Sequence, residues 1–409
     1  MALALYNTLT QRKEEFTVPG GREVLFYACG PTVHDYAHIG NFRTFVVQDV
    51  LKRWLEAKGL HVKHVMNLTD VDEKTIERAA RRKISLKSLT EKYEKAFFED
   101  LDCLNIRRAD KYPRVSENID KIAAMVVGLY EKGHAIRGDD GSYYFDINTF
   151  PGYGRLSGKT PHRRIRALMP REDYSAPKNF LLWKRCETDH GIPCFNSSLG
   201  RGLPGWHIEC AALANTFLGP TIDIHSGGTD LVFPHHENEI AEAEAYTGRR
   251  FSRFWMHIEH LEVFGRKMSK SLGNFFTLKQ IIRKGHNPRA VRLLYLKTHY
   301  RLKLDFDFEK LEAAQREINL LDFVVDGLAA VKNYGARNYT VEVEEFKSTF
   351  SIFMDDDLGT DRAAKLFFDF LHDVKRLLEV DELSKLGINN IGDAIDWAND
   401  VFGILGGCK

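Results

Sequence analysis

The sequence predicts an α/β protein, a parallel sheet interrupted by an inserted domain and followed by an all-α C-terminal helical domain. The first observation behind this is the apolar run Val24-Leu25-Phe26-Tyr27, which ends in Cys29-Gly30-Pro31-Thr32 and leads into a helix opening at His38-Ile39-Gly40-Asn41. In that helix Phe45, Val46, Val50, Leu51, Trp54 and Leu55 recur at the i, i+3/i+4, i+7 spacing of one buried face. The second is the recurrence of short apolar runs followed by polar residues, the texture of strands that deliver ligand-binding groups at the edge of a parallel sheet. The third is the stretch beyond Pro288, where helical periodicity continues to the end.

Taken in order, the first strand, its tight turn and the helix N-terminus form a geometry in which free backbone N–H groups and the helix dipole accept an anion. A histidine at that turn, with Gly40 allowing close approach, suits nucleotide phosphates; a helix cap or a core residue is the structural alternative. Residues 61–67 read as a second strand, ending in Leu68-Thr69-Asp70-Val71-Asp72. Residues 73–104 and 118–132 read as helices, the latter closing at Gly133. Between residues 135 and 195 the texture changes to short strands such as Ser142-Tyr143-Tyr144-Phe145, several Pro and Gly, and the basic loop His162-Arg163-Arg164-Ile165-Arg166. This is the pattern of an insertion between two halves of a sheet.

The sheet is expected to resume after Gly205, with Trp206-His207-Ile208-Glu209-Cys210 starting a helix and residues 221–225 forming a strand into the turn Ser226-Gly227-Gly228-Thr229-Asp230. Residues 254–262 would form the last strand, before a loop carrying Lys267-Met268-Ser269-Lys270-Ser271. Helices are expected over 289–299, 308–334, 341–353, 361–380 and 391–405, with a hinge near 335–340. The resulting division is 1–115 and 204–262 for the two halves of the sheet domain, 116–203 for the insertion, 263–336 for the lysine loop and adjoining helices, and 337–409 for the helical domain.

Lys and Arg number 58 against 57 Asp and Glu, so any nucleic acid must be met by local patches rather than by a net basic field. No run approaches the length of a membrane span, and the N-terminal stretch lacks a basic leader with an apolar h-region, so a cytoplasmic protein is expected. The six cysteines, at 29, 103, 186, 194, 210 and 408, are too sparse and irregular to read as a disulfide framework.

Three constellations carry chemistry. Cys29, Cys210 and the cluster Pro234-His235-His236-Glu237-Asn238-Glu239 offer a mixed sulfur, nitrogen and oxygen set suited to Zn²⁺; on a helix His235 and Glu239 sit at i and i+4, on one face, where they could share an ion with the two thiolates. Individually they also read as a core thiol and a solvated helix face. Lys267 and Lys270, flanked by small hydroxyl residues and by Gly265 and Gly273, form a cationic arm able to close on polyphosphate. Gly228 and Asp230 belong to a Gly-rich turn that can admit adenine or ribose against backbone, with Asp230 accepting from ribose hydroxyls.

With these strings assembled, the chain resembles the cysteinyl-tRNA synthetases, a family of class I aminoacyl-tRNA synthetases. The matching strings are YACGPTVHDYAHIGN (27–41), NLTDVDEK (67–74), PGWHIEC (204–210), DIHSGGTDLVFPHHENE (223–239), KMSKSLGN (267–274), THYR (298–301) and MDDDLGT (354–360). The resemblance implies a Rossmann-like catalytic sheet, an inserted connective domain and a helical tRNA-binding domain. It implies ATP-dependent activation of L-cysteine and transfer of cysteine to the terminal adenosine of cysteine tRNA, by a monomer.

The family's zinc ligands fall on Cys29, Cys210, His235 and Glu239, one ion per chain, and Mg²⁺ is expected to accompany ATP. Its HIGH signature falls on His38-Ile39-Gly40-Asn41, with Asn in the last place, and its KMSKS signature on residues 267–271. His38, Asn41 and Thr32 would line the phosphate site opposite Lys267 and Lys270, with Gly40, Gly228 and Asp230 against the nucleotide and Thr69 and Trp206 walling the cysteine pocket. Two departures stand out. Asn179 occupies a place where the family usually carries an acid, and the sequence ends at Gly406-Gly407-Cys408-Lys409, before the small domain that usually helps read the anticodon. A scaffold relative joining cysteine to a small-molecule amine, or a non-catalytic RNA-binding paralogue, would share part of this signature. The intact lysine loop argues against the second, and the retained helical block against the first.

Overall fold

In a computed structural model, four parallel strands form the sheet on which the rest of the chain is hung. The structure describes residues 2–18, 20–21, 23–159, 179–186, 193–268, 273–380, 382–406 and 408, with Lys267 described by its backbone alone. The basic loop at 162–166 and Lys270 therefore lie outside the described residues.

The chain begins with a hairpin, β1 (Ala4–Asn7) and β2 (Arg12–Glu15). It continues through β3 (Glu23–Ala28), α1 (Ile39–Ala57), β4 (His61–Met66), α2 (Glu73–Arg82), α3 (Leu86–Cys103) and α4 (Ile119–Glu131). A four-stranded antiparallel sheet follows, made of β5 (Ala135–Arg137), β6 (Tyr143–Asp146), β7 (Asn179–Arg185) and β8 (Gly202–Pro204). The chain then returns through α5 (Trp206–Leu218), β9 (Ile222–Gly228), α6 (Glu237–Thr247) and β10 (Ser252–Ile258). A small sheet of β11 (Leu261–Val263), β12 (Arg266–Lys267) and β13 (Leu304–Phe306) flanks α7 (Leu278–Arg283) and α8 (Pro288–Leu296). Helices α9 (Phe308–Ala330), α10 (Thr340–Asp355), α11 (Thr360–Glu379) and α12 (Lys385–Phe402) complete the fold.

The parallel sheet has the order β10-β9-β3-β4, so the half that follows the insertion pairs with the half that precedes it. Side chains alternate across it. Val24, Phe26, Ala28, Val62 and Met66 face one hydrophobic cluster with α1, while Tyr27, Val65, Ile222 and Trp255 face another with α4, α5 and α6. A parallel sheet covered on both faces is the α/β architecture that the sequence predicts.

Several elements differ from the expected ones for local physical reasons. The helix expected over 73–104 is two helices. Lys83 adopts a left-handed conformation at φ 55°, and Ser85 then caps a new helix by accepting from the Ser88 N–H. The strand expected over 254–262 breaks at Glu259-His260, whose carbonyls both accept from the buried Arg43 guanidinium, at 2.7 and 2.9 Å. The Ser226-Gly227-Gly228 turn is instead the end of β9, and the bend begins at Thr229. The N-terminal hairpin was not foreseen because β2, Arg-Lys-Glu-Glu, is polar and mostly exposed.

The cysteines also depart from the reading of separate thiols. Cys103 is disulfide-bonded to Cys408, and Cys186 to Cys194. The first pair is 305 residues apart in sequence, a contact made only because the end of the chain returns to α3.

His64 supplies a pH-dependent term in stability. It is buried in β4, stacked on Phe26 at 4.4 Å, and neither ring nitrogen has a hydrogen-bond partner. Burial, with Lys52 adding to it, pushes its pKa down from 6.5 to about 3. The unfolded chain therefore binds the proton more tightly, and stability is lost as pH falls from 6.5 toward 3. His64→Leu is expected to remove an acid-sensitive contribution on the order of 3–4 kcal/mol. Urea unfolding at pH 7 and pH 4 checks this: the stability gap between the two pH values should narrow in the variant, and an unchanged gap would refute the assignment.

Candidate active site and metal centre

The C-terminal ends of β3, β4, β9 and β10 open on one edge of the sheet, and the side chains singled out from the sequence gather there. Cys29 follows β3 and Cys210 lies in the first turns of α5. His235 sits in the turn before α6 and Glu239 in that helix's first turn. Their ligand atoms all lie within 4.8 Å of one another, and all four residues are buried. The Cys29 and Cys210 sulfurs are 3.8 Å apart, Cys29 Sγ is 3.5 Å from Glu239 Oε1, and His235 Nε2 is 3.2 Å from the same oxygen.

A second set, Cys29, His225, His236 and Glu239, shares two of these residues and also lies within 4.8 Å. His225 Nε2 is 2.7 Å from Glu239 Oε2, and His236 Nε2 is 3.3 Å from Cys29 Sγ. His236 Nδ1 in turn meets His257 Nε2 at 2.7 Å. Sequence reading singled out neither His225 nor His257, and took in His236 only as part of the cluster from Pro234 to Glu239. His225 and His257 are on strands, and His225 comes opposite Tyr27 only through the β3–β9 register.

The donor chemistry fits a divalent metal. Burial pushes the Cys29 thiol well up, helped by the bond to Cys210 and by the charges of Cys210 and Glu239. Burial pushes His235 well down, with His207 and His225 adding to it, which keeps the imidazole in its neutral, ligating form. His235 Nδ1 is buried without a partner. Two thiols, a neutral imidazole and a carboxylate packed this closely in a dry interior are a costly arrangement without a cation to share.

The loop geometry around the ligands depends on close backbone approach. A Cβ on Gly30 would fall 1.8 Å from the Asn67 carbonyl oxygen, so only glycine lets the Cys29 turn meet the end of β4. Asn67 closes this joint by accepting from the Gly30 N–H through Oδ1 at 2.9 Å and donating through Nδ2 to Thr69 Oγ1 at 3.1 Å. Thr69 Oγ1 also lies 3.2 Å from Glu209 Oε2. Thr32 pairs with Thr69 as an isolated bridge, held by Val33 N–H on the Thr69 carbonyl. Trp206 is 45% exposed and its ring lies 4.3 Å from that of His235, so it borders this group of candidate ligands from the solvent side.

His38 and Asn41 form a capping box at the start of α1. His38 Nδ1 accepts from the Asn41 N–H and Asn41 Oδ1 from the His38 N–H, both at 3.1 Å. A Cβ on Gly40 would lie 2.9 Å from His38 Nδ1, so glycine leaves the histidine ring room to keep its capping position. The segment just after the lysine loop is fastened to this turn. Ile39 N–H donates to the Phe276 carbonyl at 3.0 Å, His38 pairs with Thr277, and the Phe275 ring lies 5.3 Å from that of His38. The His38 turn and the segment Phe275-Phe276-Thr277, more than two hundred residues apart in sequence, thus share one joint. Gly228 ends β9, and Asp230 is exposed beside it.

The family described as tRNA synthetases class I (C) catalytic domain matches residues 15–316. The cysteine–tRNA ligase of Chlamydia pneumoniae is 42% identical over 410 residues, covering 98% of this chain and 86% of that one. The chain belongs to the cysteine–tRNA ligase family. The Moorella thermoacetica cysteine–tRNA ligase is 44% identical over 388 residues, covering 91% of this chain and 81% of its own length. Among solved structures, a Mycobacterium tuberculosis methionyl-tRNA synthetase in complex with methionyl-adenylate superposes with a TM-score of 0.67 at 14% identity, covering 94% of this chain and 92% of that one. At that identity the likeness is one of fold, and it agrees with the class I architecture of a cysteine–tRNA ligase. Among the described residues no helix is long and apolar enough to cross a membrane.

Proposed function

We propose that this chain activates L-cysteine with ATP and transfers it to the 3′-terminal adenosine of cysteine tRNA. The observation that carries the reading is the convergence of Cys29, Cys210, His235 and Glu239 at the sheet edge of a cysteine–tRNA ligase family member. In the first step a carboxylate oxygen of cysteine attacks the α-phosphorus of ATP and pyrophosphate leaves. In the second, a ribose hydroxyl of the terminal adenosine attacks the acyl carbon and AMP leaves. Neither step needs a covalent bond to the protein, so its work is positioning and stabilisation of phosphate charge.

His38, Asn41 and Thr32, at the N-terminus of α1, take the phosphates from one side, and Lys267 and Lys270 close from the other. Mg²⁺ accompanies ATP, held mainly by its phosphates. Gly40, Gly228 and Asp230 face the nucleotide, and Thr69 and Trp206 bound the amino-acid pocket. Cys29, Cys210, His235 and Glu239 hold zinc, which when bound supplies a soft partner that favours a thiolate over a serine hydroxyl. This reading carries with it a cytoplasmic, monomeric enzyme divided at the boundaries given above.

The test is ATP–pyrophosphate exchange on the zinc-replete chain. L-Cysteine is expected to support exchange at least about 10⁴-fold better than L-serine, because the site is built around a group that serine lacks. Charging of cysteine tRNA should follow. Exchange that does not discriminate, or AMP release that requires a small-molecule amine in place of tRNA, would overturn the proposal.

A further inference from the structure

The joint between Thr69 and its neighbours commits one hydroxyl in a defined direction. Thr69 is buried, and its backbone is already pinned, the N–H to the Pro31 carbonyl at 3.2 Å and the carbonyl to the Val33 N–H at 3.0 Å. Its hydroxyl touches two buried side chains, Asn67 Nδ2 at 3.1 Å and Glu209 Oε2 at 3.2 Å. Asn67 has no choice of orientation, because its Oδ1 accepts from the Gly30 N–H. Its amide nitrogen therefore faces Thr69 and donates. One lone pair of the hydroxyl is thereby used, and the hydroxyl hydrogen points to the carboxyl oxygen of Glu209. A hydroxyl has one hydrogen and two lone pairs, so what Thr69 can offer a ligand is a single acceptor lone pair.

We infer that Glu209 is a positioning residue that turns the Thr69 hydroxyl into an acceptor-only contact for the α-ammonium group of the bound amino acid. The inference rests on the cysteine-activating reading above, which puts Thr69 in the amino-acid pocket. The relay borders the metal ligands at both ends, since Gly30 follows Cys29 and Glu209 precedes Cys210. An amino acid whose thiol is held there carries its ammonium nitrogen and its carboxylate carbon only about three bonds further on, and an acceptor-only hydroxyl distinguishes between them. A carboxylate would meet a lone pair and be repelled, while an ammonium is a donor to it.

Calorimetric binding of three thiols to the zinc-replete full chain tests this. L-Cysteine carries both charged groups, cysteamine keeps only the amine, and 3-mercaptopropionate keeps only the carboxylate. Glu209→Ala is expected to weaken cysteine and cysteamine about tenfold and to leave 3-mercaptopropionate unchanged, with zinc content intact. Thr69→Val should give the same selective loss, which keeps the test standing if Glu209→Ala fails to fold. Glu209→Gln should bind cysteine nearly as the parent does, because its amide oxygen accepts the same hydrogen. Equal loss for all three thiols, a loss confined to 3-mercaptopropionate, or no loss in either variant would each overturn the inference. Failure of the parent chain to bind any of the three would overturn the cysteine-activating reading itself, and this inference with it.

Discussion

Cys210→Ser is expected to strip the chain of its metal and to lower cysteine-dependent pyrophosphate exchange by at least about 100-fold while helix content stays unchanged. The expectation follows from the closeness of the donors. With Cys29 Sγ only 3.8 Å from Cys210 Sγ and 3.5 Å from Glu239 Oε1, each ligand's charge is tolerable only through a shared cation. Serine keeps the shape of Cys210 in α5, where Ile208, Ala211 and Ala212 are buried and carry the packing. It does not supply a thiolate. Metal analysis beside circular dichroism separates the two effects. A variant that keeps both zinc and exchange would contradict the assignment of Cys210 as a ligand, and loss of helix content would point to packing instead.

Arg292→Met is expected to destabilise the fold by about 3–5 kcal/mol, the range for breaking a buried ion pair whose partners stay behind. Arg292 is buried in α8 and pairs with Asp49 of α1. It also donates to the carbonyls of Leu104 at 2.9 Å, Asn105 at 3.2 Å and Phe402 at 2.5 Å. Asp49 in addition accepts from Arg53 at 2.8 Å and from the Arg107 N–H at 2.9 Å, while Arg53 reaches the Asp400 carbonyl at 3.1 Å. One arginine thus joins the first helix of the sheet, the loop after α3 and the end of the last helix. Burial pushes its pKa down to about 10, with Asp49 opposing, so the guanidinium stays charged at neutral pH. Its removal takes a donor from the Leu104 and Phe402 carbonyls and from Asp49, while the Asn105 carbonyl still accepts from Arg53 at 2.6 Å. Urea unfolding measures the loss. A change below about 1 kcal/mol would mean that neighbouring groups or water replace these bonds.

What the sequence made legible was whatever repeats locally. The apolar run from Val24 to Tyr27 and the 3.6-residue stripe from Phe45 to Leu55 are short-range patterns, and both elements stand where those patterns put them. The resemblance to the synthetase family supplied the zinc ligand set, and the fold brings those four side chains together. Hidden from the sequence was what depends on register and on return of the chain. Arg43 ends a strand because it captures the carbonyls of Glu259 and His260, 216 and 217 residues away. His225 meets Glu239, and Glu209 meets Thr69, only once parallel strands and helices are stacked. The Cys103–Cys408 pair belongs to the same class of long-range contact.

X-ray absorption at the zinc edge of the purified chain, without and with amino acid, addresses the metal-centred selection of cysteine most directly. Two sulfur neighbours and two nitrogen or oxygen neighbours are expected for the chain alone, from Cys29, Cys210, His235 and Glu239, and L-cysteine but not L-serine should raise the sulfur count to three. A chain that binds no zinc, or a zinc edge unchanged by L-cysteine, would contradict the account.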